Sequence, residues 1–157
     1  MPFSKHIRIG LCTFLAAFAV IPAAQAATLS KKERTLLETV NDVRAAHDLR
    51  PLQVDTTLVR AAQDYSTTMI RRDVFTHGAL GQRLARYGAR GPVFGENLAW
   101  GKGWRATPRA IVSSWMASPG HRANLLRPGW VRIGIGARTG TFLGHAGATV
   151  VTADFAG

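Results

Sequence analysis

Cysteine is all but missing from this 157-residue chain, which carries Cys12 and no other. A secreted domain of this size often leans on disulfides; without them, a disulfide-stapled toxin and a thiol enzyme are both excluded once the segment bearing Cys12 is removed. Acid is scarce as well, with 9 Asp+Glu against 20 Lys+Arg, and after Glu96 the only carboxylate side chain is Asp154. No G-x-S-x-G, H-E-x-x-H or Walker loop is present, which removes the nucleophile-elbow, zincin and P-loop classes. Gly134-Ile-Gly136 lacks the third glycine of a dinucleotide loop, so it reads as close backbone packing in a strand. Zinc-finger spacing and aromatic-interleaved basic strips are also missing, and no specific nucleic-acid partner is expected. Nor is there an internal repeat, a low-complexity tract or an interdomain linker.

Residues 1–26 read as a secretion signal, with Lys5 and Arg8 as the basic start, Ile9 to Ile21 as the apolar run and Ala24-Gln25-Ala26 as an A-x-A cleavage site. The run is too short for a comfortable span, so no transmembrane segment is expected after cleavage; a retained anchor is the alternative. Residues 27–157 then form a single domain, large enough to bury roughly two-thirds of its unfolded surface. A monomer is expected, secreted to the medium, the periplasm or the wall. Without Lys5 and Arg8 the remainder still holds 18 Lys+Arg against 9 Asp+Glu. The arginines are scattered along the chain, which favours a soluble, Arg-rich surface over a specific polyanion site.

Helix signals come first. Ser30-Lys-Lys-Glu33 is a capping box, followed by Leu36, Val40 and Val43 at helical spacing. A second helix is predicted from Asp55 to about Arg72, with Leu58, Ala61-Ala62, Tyr65 and Met69 on one face. Leu80 to Tyr87 reads as a short helix ended by Gly88. Phe94 to Trp100 has strand content, Thr107-Pro108 and Ser118-Pro119 are N-cap and first-turn pairs, and Ser118 has capping as its ordinary role. Val131 to Ala137 and Ala148 to Phe155 are β-rich, with Gly140 to Gly147, including His145, as the turn between them. Helices followed by a hairpin, with no βαβ rhythm, indicate an α+β fold on an antiparallel sheet.

Three separated pieces carry the chemistry: Phe75-Thr-His77, Gly95-Glu96-Asn97-Leu98-Ala99-Trp100 and Trp115-Met-Ala-Ser118-Pro119-Gly120-His121-Arg122-Ala-Asn124. One Glu between two spaced histidines is the composition of a metal or acid–base site, or of a buried hydrogen-bond knot. Glu96 lies in an otherwise apolar run, so burial would call for a donor, and a histidine is the natural one. His121 follows a helix start, whose dipole favours the neutral imidazole. Ser118 with His121 and Glu96 also has the makings of a hydrolase set, although capping accounts for the serine. The four tryptophans read as core or cleft walls.

Taken together these pieces resemble the CAP superfamily, the SCP-like domains of the cysteine-rich secretory, antigen 5 and pathogenesis-related group, in its short bacterial branch. The resemblance begins at Val40-Asn41-Asp-Val-Arg44 and ends at Ala153-Asp-Phe155, nearly all of residues 33–156. It implies a three-layer α-β-α sandwich with a central antiparallel sheet, and a cleft where family members gather two His and two Glu. His77, Glu96 and His121 match three of the four; the fourth place is Ser118, which weakens cation retention. The expectation is a non-catalytic, exported protein binding a lipid or cell-envelope ligand at His77, Glu96, Asn97, Ser118 and His121, with a divalent cation, zinc or similar, at His77 and His121. The alternatives are an extracellular hydrolase with Glu96 as base and the histidines as acid or metal ligand, and a purely structural His/Glu cluster.

Overall fold

The structure, a computed structural model, describes residues 28–157. The secretion signal expected over 1–26 lies outside the described residues. Nine elements follow in order: α1 (Lys31–Ala45), β1 (Gln53–Val54), α2 (Thr56–Arg72), α3 (Leu80–Arg86), β2 (Phe94–Gly101), α4 (Pro108–Ala117), α5 (Pro119–Leu125), β3 (Arg132–Phe142) and β4 (His145–Ala156), with a 3-10 turn at Gly103–Ala106.

The helix starts lie where their capping chemistry puts them. The Glu33 amide donates to Ser30 Oγ at 3.3 Å, and the Ser30 amide returns the bond to Glu33 Oε2 at 2.7 Å. Glu33 does more than cap, because its buried Oε1 also accepts from the Ala137 amide at 2.9 Å and from Arg138 at 3.1 Å, tying α1 to β3. Asp55 caps α2 through the Thr57 and Leu58 amides, and Thr107 Oγ1 caps α4.

The four strands lie in the order β1-β3-β4-β2. The two long pairings are antiparallel, as the hairpin pattern predicted, but the short β1 runs parallel to β3. The central sheet is antiparallel in its long pairings, as expected, and the short β1 makes it mixed. The helices between β1 and β3 carry the chain back across the sheet, the connection a parallel pair requires, and two residues are too few to show a pattern. The hairpin is also tighter than predicted. Both strands continue to a turn at Leu143-Gly144, where φ is +48° and +77°, as two-residue hairpin turns demand. His145 thus begins β4 and stacks on Trp100 at 5.4 Å.

Two helical layers cover the sheet. On one face Leu36, Val40, Ile111, Trp115 and Leu125 of α1, α4 and α5 meet Ile133, Ile135, Val151, Ala153 and Phe155. On the other, α2 and α3 bring Leu58, Ala61, Met69 and Leu84 against Leu98, Val150 and Ala156. α2 lies so close to β3 that a Cβ on Gly134 would come within 2.1 Å of the Leu58 carbonyl carbon, and one on Gly136 within 2.3 Å of Ala62. Those glycines are the close backbone packing their sequence suggested. Trp115 and Trp130 are core, whereas Trp104 is 70% exposed and stands on the surface instead. β2 forms the sheet edge, with Glu96 turned to the α2–α3 layer and Asn97 to α5. The cleft lies along that edge.

Candidate functional site

Strand register sets the centre of the site. Glu96 on β2 stands opposite Asp154 on β4, which places two carboxylates side by side on one face of the sheet. Both are buried, and a strand interior supplies no solvent to stabilise their charge. Arg83, from α3, supplies the counter-charge. Its Nη2 donates to Glu96 Oε2 and, at 3.0 Å, to Asp154 Oδ1, while Nη1 donates to the His77 carbonyl at 3.3 Å. The guanidinium also lies 3.7 Å from the centre of the Tyr65 ring. His77 closes the set, its Nδ1 lying 2.7 Å from Glu96 Oε1.

Two buried carboxyls and one guanidinium leave one negative charge in excess unless a proton stays. Burial pushes Glu96 up to about 7 and Asp154 up to about 8, with Arg83 opposing the rise in each. The pair titrates as a unit and retains a proton at neutral pH. Glu96 has both oxygens within hydrogen-bond distance of a nitrogen, His77 Nδ1 and Arg83 Nη2, whereas Asp154 Oδ2 has no hydrogen-bond partner among the described residues.

The other wall comes from α5. His121 Nδ1 lies 3.0 Å from Ser118 Oγ. Ser118 occupies the N-cap position, but its hydroxyl makes no capping bond, so the capping role read from sequence is corrected: the hydroxyl is turned to the imidazole instead. The His121 pKa is lowered chiefly by burial and further by the proximity of His77. Asn97 Nδ2 donates to the His121 carbonyl at 3.0 Å and Asn124 Nδ2 donates to Asn97 Oδ1 at 3.0 Å. These bonds fix α5 against the strand edge. Gly95 is required beneath them, because a Cβ there would lie 2.6 Å from Asn124 Oδ1.

All five expected residues, His77, Glu96, Asn97, Ser118 and His121, line one cavity of about 400 Å³. They divide into two sets. Glu96 bonds His77 and not His121, so the imagined Ser118–His121–Glu96 relay is split between two imidazoles. A second carboxylate, Asp154, lies behind Glu96, and the fourth place of the family pattern is still Ser118. Sequence reasoning missed Asp154 and Arg83. A lone carboxylate inside the apolar run Ala148 to Ala156 was the available signal, since such a group needs a buried partner.

Residues 37–155 match the model of the cysteine-rich secretory protein family, CAP. The chain belongs to that family. Among curated relatives, the Bacillus subtilis protein YkwD is 34% identical over 114 residues, 69% of this chain and 43% of its own length. An extracellular SCP-domain protein from Bacillus anthracis superposes with a TM-score of 0.70 at 24% identity, over 83% of this chain and 44% of that one. An outer surface protein from Borrelia burgdorferi gives 0.65 at 22% identity, over 83% and 96%. This chain spans less than half the length of the two Bacillus proteins, and the structural likenesses establish the CAP fold alone.

Proposed function

We propose that this is an exported, non-catalytic CAP protein whose cleft binds a polar ligand of the cell envelope, with a divalent cation at His77 and His121. One observation carries the reading: each imidazole lining the cleft has Nδ1 engaged, by Glu96 or by Ser118, and Nε2 without a protein partner among the described residues. With Nδ1–H donated to a neighbouring oxygen, the Nε2 lone pair is free for a metal, and a carboxylate behind a histidine is a common support for such a ligand. The lowered pKa of His121 keeps that ring neutral near pH 7, the form that ligates.

A cation there would have two protein ligands. Among the described residues no three His, Cys, Asp or Glu side chains gather to hold one, so solvent and ligand oxygens would complete the shell. A cation there would supply a positive centre for an anionic or carbonyl-bearing ligand. Glu96 is poorly suited to act as a base, since its side chain is 1% exposed and both oxygens accept N–H groups. That disfavours the hydrolase reading. Export is supported by the signal-like residues 1–26 and by the extracellular and outer-surface relatives. No described helix is long and apolar enough to cross a membrane.

Zinc titration by calorimetry at about pH 7.5, where His121 is neutral, tests the cation clause. Saturable binding lost in the His77→Ala/His121→Ala double variant is expected; equal heats from both proteins would overturn it. A peptide and muropeptide panel turned over by wild type and not by Glu96→Gln would replace the proposal with a hydrolase.

A further inference from the structure

A second cavity, of about 550 Å³, opens between α2 and α3 on the far side of Arg83 from the cleft. Its rim is strongly cationic. The last turn of α2 contributes Arg71 and Arg72, and the last turn of α3 contributes Arg86. None of these three makes an ion pair or a side-chain hydrogen bond among the described residues. The other two charges at the cavity are Arg83 and Asp64. Arg83, 4% exposed, is neutralised by Glu96 and Asp154 yet keeps a buried Nε without a partner. Asp64 lies by Tyr87 and is the one carboxylate in the lining among the described residues. Tyr65 donates its hydroxyl to the Thr76 carbonyl at 2.6 Å, closing the floor.

Three unpaired guanidiniums against one carboxylate leave two positive charges round a concave site. Like charges held together without partners repel, and guanidinium forks match tetrahedral oxyanions in bidentate geometry. A phosphate monoester, carrying close to two negative charges near neutral pH, balances that excess. The cavity is larger than a phosphate alone, and its polar wall of Thr68, Thr76 and Tyr87 suits a hydroxylated body. We infer that the α2–α3 cavity is a separate binding site for a phosphate monoester on a polar body, with Arg71, Arg72 and Arg86 as its clamp. Arg83 lines this cavity and not the His77–His121 one, touching the latter only through its bond to Glu96, and the site does not depend on the reading given to that cleft. The competing account of these arginines is that they only complement the carbonyl ends of α2 and α3.

The test is NMR titration of amide shifts at low salt with three probes: inorganic phosphate, glucose 6-phosphate, and vesicles of phosphatidylglycerol. The variants are the triple Arg71→Gln/Arg72→Gln/Arg86→Gln, on exposed positions, and His77→Ala/His121→Ala. Saturable shifts at the ends of α2 and α3 are expected with both soluble phosphates, weakened about tenfold or more in the triple variant and unchanged in the histidine variant. Binding to vesicles alone, lost in the triple variant, would reassign the anion to a lipid headgroup and overturn the soluble monoester. No saturable shift, or shifts that persist in the triple variant, would overturn the site altogether and leave the arginines to the helix ends.

Discussion

Asp154→Asn isolates the proton that Glu96 and Asp154 share beside Arg83. Burial raises both carboxyls, to about 7 and about 8, whereas in the unfolded chain each loses its proton near pH 4. Between those limits the folded protein holds protons, on Glu96 and on Asp154, that the unfolded chain has released. Stability is therefore full below about pH 4 and declines as pH rises through the folded values. The Asp154 proton corresponds to about 1.4 kcal/mol per pH unit, or about 4 kcal/mol between about pH 5 and pH 8. Asparagine keeps the shape, offers its oxygen to Arg83 and removes the Asp154 proton, while the burial that raises Glu96 is common to both proteins. His121 acts in the opposite direction, because its lowered pKa adds stability as pH rises towards the ordinary histidine value. It is common to both proteins and cancels in their difference. Tyr65, beneath the guanidinium, is pushed up and stays neutral across the window. Urea unfolding, followed by the fluorescence of buried Trp115 and Trp130, gives the two stability curves. Wild type should lose stability relative to Asp154→Asn at each step from about pH 5 to pH 8. Parallel curves, or a wild type that gains relative to the variant, would refute the shared proton.

Arg83→Met keeps length but strands two buried carboxyls, and should cost about 3–5 kcal/mol in urea unfolding, with the loss growing as pH rises. An unchanged midpoint would show that Arg83 is not their counter-charge. Gly134→Ala drives a Cβ into the α2 backbone at Leu58, where neither helix nor strand can give way by a side-chain rotation. A loss of about 1–3 kcal/mol or more is expected by thermal or urea unfolding, and a neutral result would mean that α2 does not rest on β3 as described.

What the sequence made legible was local. Ser30, Asp55 and Thr107-Pro108 announce their helices because a capping side chain bonds amides two or three residues away. The alternation in Val131 to Ala137 announces a half-buried strand for the same short-range reason. The parallel β1 and the tight Leu143-Gly144 turn were not legible, since one is two residues long and the other rests on backbone angles that Leu seldom adopts. The site divides along the same line. His77, Glu96 and His121 stand out as ionisable groups in apolar or Gly-Pro surroundings, but Arg83 on a seven-residue helix looks like any surface arginine. Only the β2–β4 register sets Asp154 beside Glu96, and only the α2–α3 layer brings Arg83 over both. Those two residues do not line the His77–His121 cavity, yet they decide its chemistry. Arg83 holds Glu96 and Asp154 together, and Glu96 in turn holds the His77 ring by its Nδ1, leaving Nε2 as the ring nitrogen turned from that bond.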